Sequence, residues 1–342
     1  MKLIRPSAQQ LRREFEHARD IVAKTYTGLG NQQAYDLAYY DNLETIDPLG
    51  RCTYYRGTDQ RDYFIPRLKQ MFGQLPQLAR IGDFGAGDGL TTAMALPAVR
   101  GTAVLDLVEP SPAIKSYEAL IARSANLMLG ASLQMGIEQL GSADGQAIAD
   151  NSLDIALSLH SIYFFDIEAG VQSMYRRLKP GGSLLIVFAD ETRSTTGHAI
   201  IDYFNRIGHD EVSTTHREIF QKRRNLLASD SGDESLVSII ATNFGQAPIV
   251  NIHDAASRFY AEKFGNMAAF GLLSGLPFFD APDDMQSDEF KLDKILSALT
   301  SLYENPEQFD LGIVADQTDP RCGMWTTSQP QYIVTITKPD PS

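Results

Sequence analysis

The stretch ARIGDFGAGDG, residues 79–89, decides the fold. Ala79 to Phe84 has the short apolar pattern of a strand, and glycines at 85, 87 and 89 break it. Glycine adopts dihedrals that a Cβ forbids and lets the backbone approach a ligand closely. Leu90 to Ala98 then begins a helix. A strand that passes through a Gly-rich turn into a helix opens a parallel α/β sheet, whose ligands bind outside the carboxyl ends of the strands. A plain turn is the alternative reading. The pattern is GxGxG, not the GxGxxG dinucleotide fingerprint, and Asp83 and Asp88 flank it. A diphosphate favours a helix N-terminus free of acids. These carboxylates suit a ligand with positively charged groups instead.

Working outward, TAVLDLVE (102–109) is a second strand, ending on Glu109 about twenty residues past the last glycine. A carboxylate there can accept hydrogen bonds from both hydroxyls of a ribose; the alternative is an exposed acid at a strand end. SPAIKSYEALIARSAN (111–126) is predicted as a helix, ASLQM (131–135) and SLDIALSLH (152–160) as strands. IEAGVQSMYRRL (167–178) is a helix stopped by Pro180-Gly181-Gly182, and SLLIVFAD (183–190) a fifth strand. Upstream, residues 7–27 form an amphipathic helix with Leu11, Phe15, Ala18, Ile21 and Val22 at helical spacing, and 61–78 are helical. Downstream, helices are expected at 197–208, 233–244, 255–275 and 287–303, with strands at APIVNIH (247–253) and QYIVTITKP (331–339). Segments 192–246 and 255–303 are too long for plain connections and are expected to cap the mouth of the sheet. The expected layout is an N-terminal helical segment and lid at 1–78, a ligand-binding core at 79–191, a cap with remaining core elements at 192–310, and a closing strand at 311–342.

In their order and spacing, IGDFGAGDG, LVEPS, SLDIALSLHSIYFF and RRLKPGGSLLIVFAD resemble class I S-adenosylmethionine-dependent methyltransferases. The resemblance spans residues 79–190, and more weakly the closing strand. It implies a Rossmann-like α/β fold: a seven-stranded, mostly parallel sheet whose antiparallel last strand lies between strands five and six, plus N-terminal helices and a helical cap. It implies S-adenosylmethionine as cofactor. Asp83, Gly85, Ala86 and Gly87 would surround its methionine part, and Glu109 with Pro110 its ribose. In MGIEQL (135–140), Ile137 would cover the adenine and Glu138 accept from its amino group, where many relatives carry an aspartate. Leu159 and Tyr40 complete the expected cofactor set.

His160, Tyr163 and Tyr39 are the candidate catalytic residues. His160 and Tyr163 follow strand four, at the mouth of the sheet, where His160 would orient or deprotonate an acceptor. A hydrogen-bonded structural histidine is an equal alternative. Tyr163 would offer its hydroxyl, or its ring face to a cation; Phe164 and Phe165 read as core. In the resembling families the segment before the first strand folds over the cofactor, which implicates Tyr35, Asp36, Tyr39, Tyr40 and Asp41; packing of a helix face is the alternative. Arg56 and Arg61 could bind a carboxylate or be solvated. The aromatic run HSIYFF (160–165) and a lid before the last strand are similar to small-molecule enzymes of the histamine N-methyltransferase type.

Composition narrows the partners. The chain has 342 residues, 43% apolar, with a formal net charge of −13. An acidic surface repels phosphate backbones and anionic lipid, so neither nucleic acid nor membrane is expected. SLHS stands after strand four where amino-methylating DNA enzymes carry an NPPY-type tetrapeptide. The two cysteines, Cys52 and Cys322, make no disulfide framework, which points to a cytoplasmic protein. The most apolar run, 268–279, is shorter than the ~20 residues that span a bilayer. No HExxH or HxxxH pairing, GxSxG elbow or GKS/GKT loop occurs, and no metal is expected. The sum is a methyltransferase acting on a small molecule by in-line transfer, as a monomer or homodimer. The alternatives are a cyclase or lyase that spends the same cofactor and releases methylthioadenosine, and a non-catalytic binding subunit.

Overall fold

The computed structural model describes residues 1–27, 43–46, 52–55, 57–141, 147–228, 235–267 and 288–340. The N-terminal strand β1 (Leu3–Ile4) leads into α1 (Ala8–Tyr26). Ser7 caps α1, its hydroxyl accepting from the Gln10 N–H at 3.2 Å. A short antiparallel pair, β2 (Leu43–Ile46) and β3 (Cys52–Tyr55), precedes α2 (Gln60–Gly73).

The large sheet is built from β4 (Leu78–Phe84), β5 (Thr102–Val108), β6 (Leu127–Leu133), β7 (Leu153–Leu159), β8 (Leu178–Ala189), β9 (Ile249–Ala255) and β13 (Gln331–Thr337). Their order is β6-β5-β4-β7-β8-β13-β9. β13 runs antiparallel to both neighbours and the pairs from β6 to β8 are parallel, so this is the seven-stranded, mostly parallel sheet with an antiparallel last strand. Reversal of strand order between β4 and β7 opens a crevice at their carboxyl ends.

The helices are α3 (Leu90–Ala93), α4 (Ile114–Ala122), α5 (Ile167–Arg177), α6 (Thr195–Arg206), α7 (Asp210–Leu227), α8 (Leu236–Phe244), α9 (Phe264–Met267) and α10 (Asp288–Glu304). Strands buried on both faces need a layer on each. On one face, Phe64, Leu68 and Phe72 of α2 and Tyr117 and Ile121 of α4 meet Ile81, Leu105, Leu157 and Leu185. On the other, Val171 and Met174 of α5, Leu227 of α7 and Ile240 of α8 meet Phe84, Ala156, Ile186 and Val334.

Several expected elements differ. The helix expected at 90–98 is broken into α3 and a 3-10 turn over Leu96–Ala98, which carries Pro97. Pro97 has no backbone N–H to continue the ladder. The helix expected at 61–78 ends at Gly73. The strand expected at 131–135 begins at Leu127, because a bulge carries β6 through Gly130. Part of the segment expected to cap the mouth covers a sheet face instead, as Leu227, Leu236 and Ile240 do. The helix expected at 255–275 is instead β10 (Arg258–Ala261) followed by α9; residues 268–275 lie outside the described residues.

That strand belongs to a second sheet the sequence did not announce. β11 (Gly312–Val314) and β12 (Trp325–Ser328) join β1 and β10 in the order β1-β11-β12-β10. It continues the β9–β13 ladder past a bend, where Ser257 and Gln329 are joined by a 2.8 Å backbone hydrogen bond and the Ser257 hydroxyl donates to the Gln329 carbonyl. Because β10 follows the carboxyl end of β9, the small sheet and the helices packed on it stand beyond the mouth of the large one.

Candidate functional site

The Gly-rich turn after β4 is fastened from two sides. The N–H groups of Gly85 and Ala86 donate to the Val108 carbonyl, at 2.8 and 3.2 Å. Glu109, the residue after β5, accepts from the Gly87 N–H at 3.0 Å through one oxygen and from the Ser111 N–H at 2.9 Å through the other. One carboxylate therefore ties the two strand ends at the crevice.

The three glycines have different reasons. All have positive φ: 76° at Gly85, 54° at Gly87 and 77° at Gly89. A Cβ at Gly85 would lie 2.1 Å from the Cβ of Ser161, and one at Gly89 would lie 2.2 Å from the Tyr117 ring. A Cβ at Gly87 would meet no atom within 4 Å. Two glycines let the turn pack against the protein, and the middle one leaves its outer side open.

Asp83 lies beneath this turn, 2% exposed. Its Oδ2 accepts from the Thr92 hydroxyl at 2.7 Å and the Tyr117 hydroxyl at 3.3 Å. Burial pushes the carboxyl up to about 6, with Glu109 adding to the rise and the two hydroxyls opposing it. Thr92, Tyr117 and Ser161 are contributors that sequence reasoning missed. The Ser161 hydroxyl donates to the Phe84 carbonyl at 2.7 Å and meets the Ser158 hydroxyl at 2.8 Å, anchoring the start of the turn to β7. A fixed offset from the strand-four run was the signal for Ser161; nothing local marks Thr92 or Tyr117.

The other expected residues distribute as follows. Pro110 is exposed beside Glu109. Ile137 is 5% exposed and packs in the layer with Phe84 and Val108. Glu138 is exposed, its carboxylate folded over Gly136. Leu159, partly buried at the end of β7, packs on the α2–α4 side. Tyr39 and Tyr40, with Tyr35, Asp36, Asp41 and Arg56, lie outside the described residues.

His160 follows β7 with φ of 57°, the left-handed region that non-glycine residues rarely occupy. Its N–H donates to the Val187 carbonyl at 2.8 Å, and its ring stands edge-on to Phe64, centroids 5.9 Å apart. The residue is partly buried, and its Nε2 is sealed from solvent without a hydrogen-bond partner. Burial pushes the imidazole down to about 3; the Arg61 guanidinium adds to this, and Gln331 opposes it. Arg61, in the first turn of α2, is buried and donates to the Thr91 hydroxyl from Nε (3.3 Å) and a terminal nitrogen (3.1 Å). His160 is therefore neutral across the physiological range.

Tyr163 points away from the turn. Its hydroxyl accepts from the Ala189 N–H at the end of β8, and the Arg223 guanidinium lies 5.0 Å from its ring centroid. Burial pushes its pKa well above that of an ordinary phenol, and Glu191, ion-paired with Arg223, adds to the rise. A phenol held neutral under a cation anchors the β8–α7 connection.

Among the described residues no group of His, Cys, Asp and Glu has a metal-site arrangement, and no helix is long and apolar enough to cross a membrane.

Comparison with known proteins joins these features. Residues 82–186, which contain the turn, Glu109 and the strand-four run, match a family model described as a methyltransferase domain. No curated protein matches the chain. Among solved structures, the YcgJ protein of Bacillus subtilis is 14% identical with a TM-score of 0.46, over 82% of this chain and 100% of that one. A putative sarcosine dimethylglycine methyltransferase from Galdieria sulphuraria is 15% identical with a TM-score of 0.41, over 82% of this chain and 85% of that one. Phosphoethanolamine N-methyltransferase 2 of Haemonchus contortus, in complex with S-adenosylmethionine, is 16% identical with a TM-score of 0.45, over 94% of this chain and 60% of that one. Likenesses this distant carry no conclusion about a substrate. The matched segment opens on the Gly-rich turn and runs through the strands from β4 to β8, so residues 82–186 are similar to a methyltransferase domain in sequence and carry the strand order described above.

Proposed function

We propose that the chain binds S-adenosylmethionine at the crevice, across the carboxyl ends of β4 and β5, and transfers its methyl group, in line, to a small molecule. The observation that carries this is Gly87. Its neighbours in the turn are packed tightly, while a Cβ at Gly87 would enter open space beside the Glu109 carboxylate. That is the cradle a nucleoside with a charged tail needs.

The donor set fits the cofactor. Each Glu109 oxygen takes one backbone N–H and retains lone-pair capacity for a ribose hydroxyl. Asp83, a carboxyl pushed up to about 6, favours a nearby cation, which would draw it toward its charged form. Gly85 and Ala86 would pass the backbone beside the methionine part, Leu159 would close the other side, and Ile137 would border the adenine.

When bound, the cofactor supplies a methyl group activated on a sulfonium. The chain's contribution is to hold the acceptor in line at roughly 3 Å and to keep water out. His160 has too little basicity to take a proton from an acceptor at neutral pH. Its fitting role is as a neutral wall, so the reading favours an acceptor that attacks without an enzymic base.

Calorimetric titration with S-adenosylhomocysteine tests the site. Glu109→Ala should weaken binding by roughly 1–3 kcal/mol, the cost of leaving hydroxyls without a charged partner. An unchanged affinity would place the ligand elsewhere. The by-product tests the reaction: S-adenosylhomocysteine marks methyl transfer, whereas methylthioadenosine would mark attack on the aminobutyryl chain and overturn this reading.

A further inference from the structure

α2 and the far edge of the large sheet bound a cleft of about 340 Å³. Its floor is the β9–β13 ladder. Asn251 lies directly opposite Thr335, and His253 opposite Ile333. Alternate residues of a strand share a face, so these four side chains form one patch. Tyr63 and Arg67, one helical turn apart on α2, make the wall. The Tyr63 hydroxyl donates to the Ala256 carbonyl at 3.3 Å, which fastens that wall to the end of β9. β9 is the last strand of the sheet, and Asn251 and His253 are exposed on it, so the outer side of the cleft is open.

The lining is rich in donors and holds no carboxylate. Thr335 is 5% exposed, yet its hydroxyl makes no hydrogen bond to the described residues. Buried hydroxyls ordinarily have a partner, and at Thr335 a ligand on the floor would supply it. The Asn251 and His253 side chains also lack a partner among the described residues. Arg67 donates from one terminal nitrogen to Gln70 at 3.1 Å, which leaves the rest of its five-donor fork available.

The nearby acids are engaged elsewhere. Asp254, on the opposite face of β9, is ion-paired with Arg193 at 2.8 Å, and Asp62 lies 3.4 Å from Arg321. Asp59 is held by the Arg258 N–H at 2.6 Å and the Tyr260 hydroxyl at 2.7 Å. In a chain of formal charge −13, a lining with a guanidinium and no acid is a local reversal of sign.

We infer that this cleft binds a small organic carboxylate. The planar fork of Arg67 matches the two oxygens of such a group. The Asn251 amide, the Thr335 hydroxyl and the His253 ring donate to its remaining lone pairs. The Tyr63 ring and Ile333 offer apolar surface to its body, and the volume falls at the small end of the roughly 300–1,000 Å³ of ligand pockets. The site stands apart from the proposed methyl-transfer crevice. Four strand spacings, roughly 20 Å, separate β9 from β4, and the cleft lies along the middle of its strands, not at their ends. The inference does not rest on the transferase reading.

The test titrates benzoate, benzamide and inorganic phosphate into the full chain by calorimetry, with and without S-adenosylhomocysteine. Benzoate should bind at least tenfold more tightly than the other two and shift the His253 ring signals in NMR spectra. Arg67→Gln should remove that preference. Thr335→Val keeps the branched shape and should weaken benzoate binding while Tm holds, since it deletes a hydroxyl without a protein partner; a merely structural hydroxyl would lower Tm. Both variants should bind S-adenosylhomocysteine as the wild type does. No benzoate binding, equal affinity for benzoate and benzamide, a preference that survives Arg67→Gln, or competition between benzoate and S-adenosylhomocysteine overturns the inference. Phosphate binding as tight as that of benzoate overturns the organic carboxylate as occupant. Benzoate preference without S-adenosylhomocysteine binding sinks the transferase reading alone.

Discussion

At the scale of single residues, the Gly-rich turn separates two demands that the sequence merges. Gly85 and Gly87 look equivalent in DFGAGDG. Gly85 sits on Ser161, and Gly87 faces open space. Gly85→Ala therefore carries both a left-handed penalty and a clash, and should lower unfolding free energy by about 2–4 kcal/mol. Gly87→Ala should lose only about 1 kcal/mol from its backbone angle, yet weaken S-adenosylhomocysteine binding tenfold or more. Denaturant melts and calorimetry on both variants check this; equal stability losses would contradict it. Asp83 shows the limit of local reading. The sequence marks an acid beside the glycines, but only Thr92 and Tyr117, nine and thirty-four residues away, turn it beneath the turn.

At the scale of elements, strand-helix alternation was legible because apolar period and glycine breaks are local. The bulge in β6 was not. β5–β6 pairing slips between Leu105 and Leu107, and Asp106 fills the gap. The Asp106 carboxylate is fully buried, takes the Ala131 N–H at 2.8 Å, and is gripped by Arg80 from β4 at 2.5 and 2.9 Å. One side chain thus pins three strands. Asp106→Ala leaves Arg80 and the bulge unpaired and should cost about 3–5 kcal/mol by urea unfolding. A loss within the ±0.5 kcal/mol usual for surface sites would show that the ladder alone sets this register. The strand β10, read as helix, was hidden for a related reason: RFYA is short, and it becomes a strand only through its antiparallel partner β12.

At the scale of the whole molecule, two buried groups near the crevice give stability opposing pH slopes. Asp83 is raised from 3.8 to about 6, so the folded state holds more protons in that window, and its contribution falls as pH rises through it. His160 is lowered from 6.5 to about 3, so the unfolded state holds more protons there, and its contribution is lost as pH falls through that window. Asp83→Asn should therefore steepen the rise of stability between pH 4 and 6.5, and His160→Gln should flatten or reverse it. Urea melts at several pH values read the slopes; two variants with the wild-type slope would mean that neither group titrates as described.

The sequence by itself determined the strand-helix alternation and the Gly-rich turn with Glu109, because apolar period, glycine breaks and a strand-end carboxylate are written within about thirty residues; the place of the antiparallel last strand came only through the family resemblance. Only the tertiary structure decided which of those residues face the crevice and which lie beneath it. It alone made the second sheet and packed α6 along α10 from segments about a hundred residues apart. Burial, pairing and proton affinity belong to neighbours in space, and the chain order does not list them.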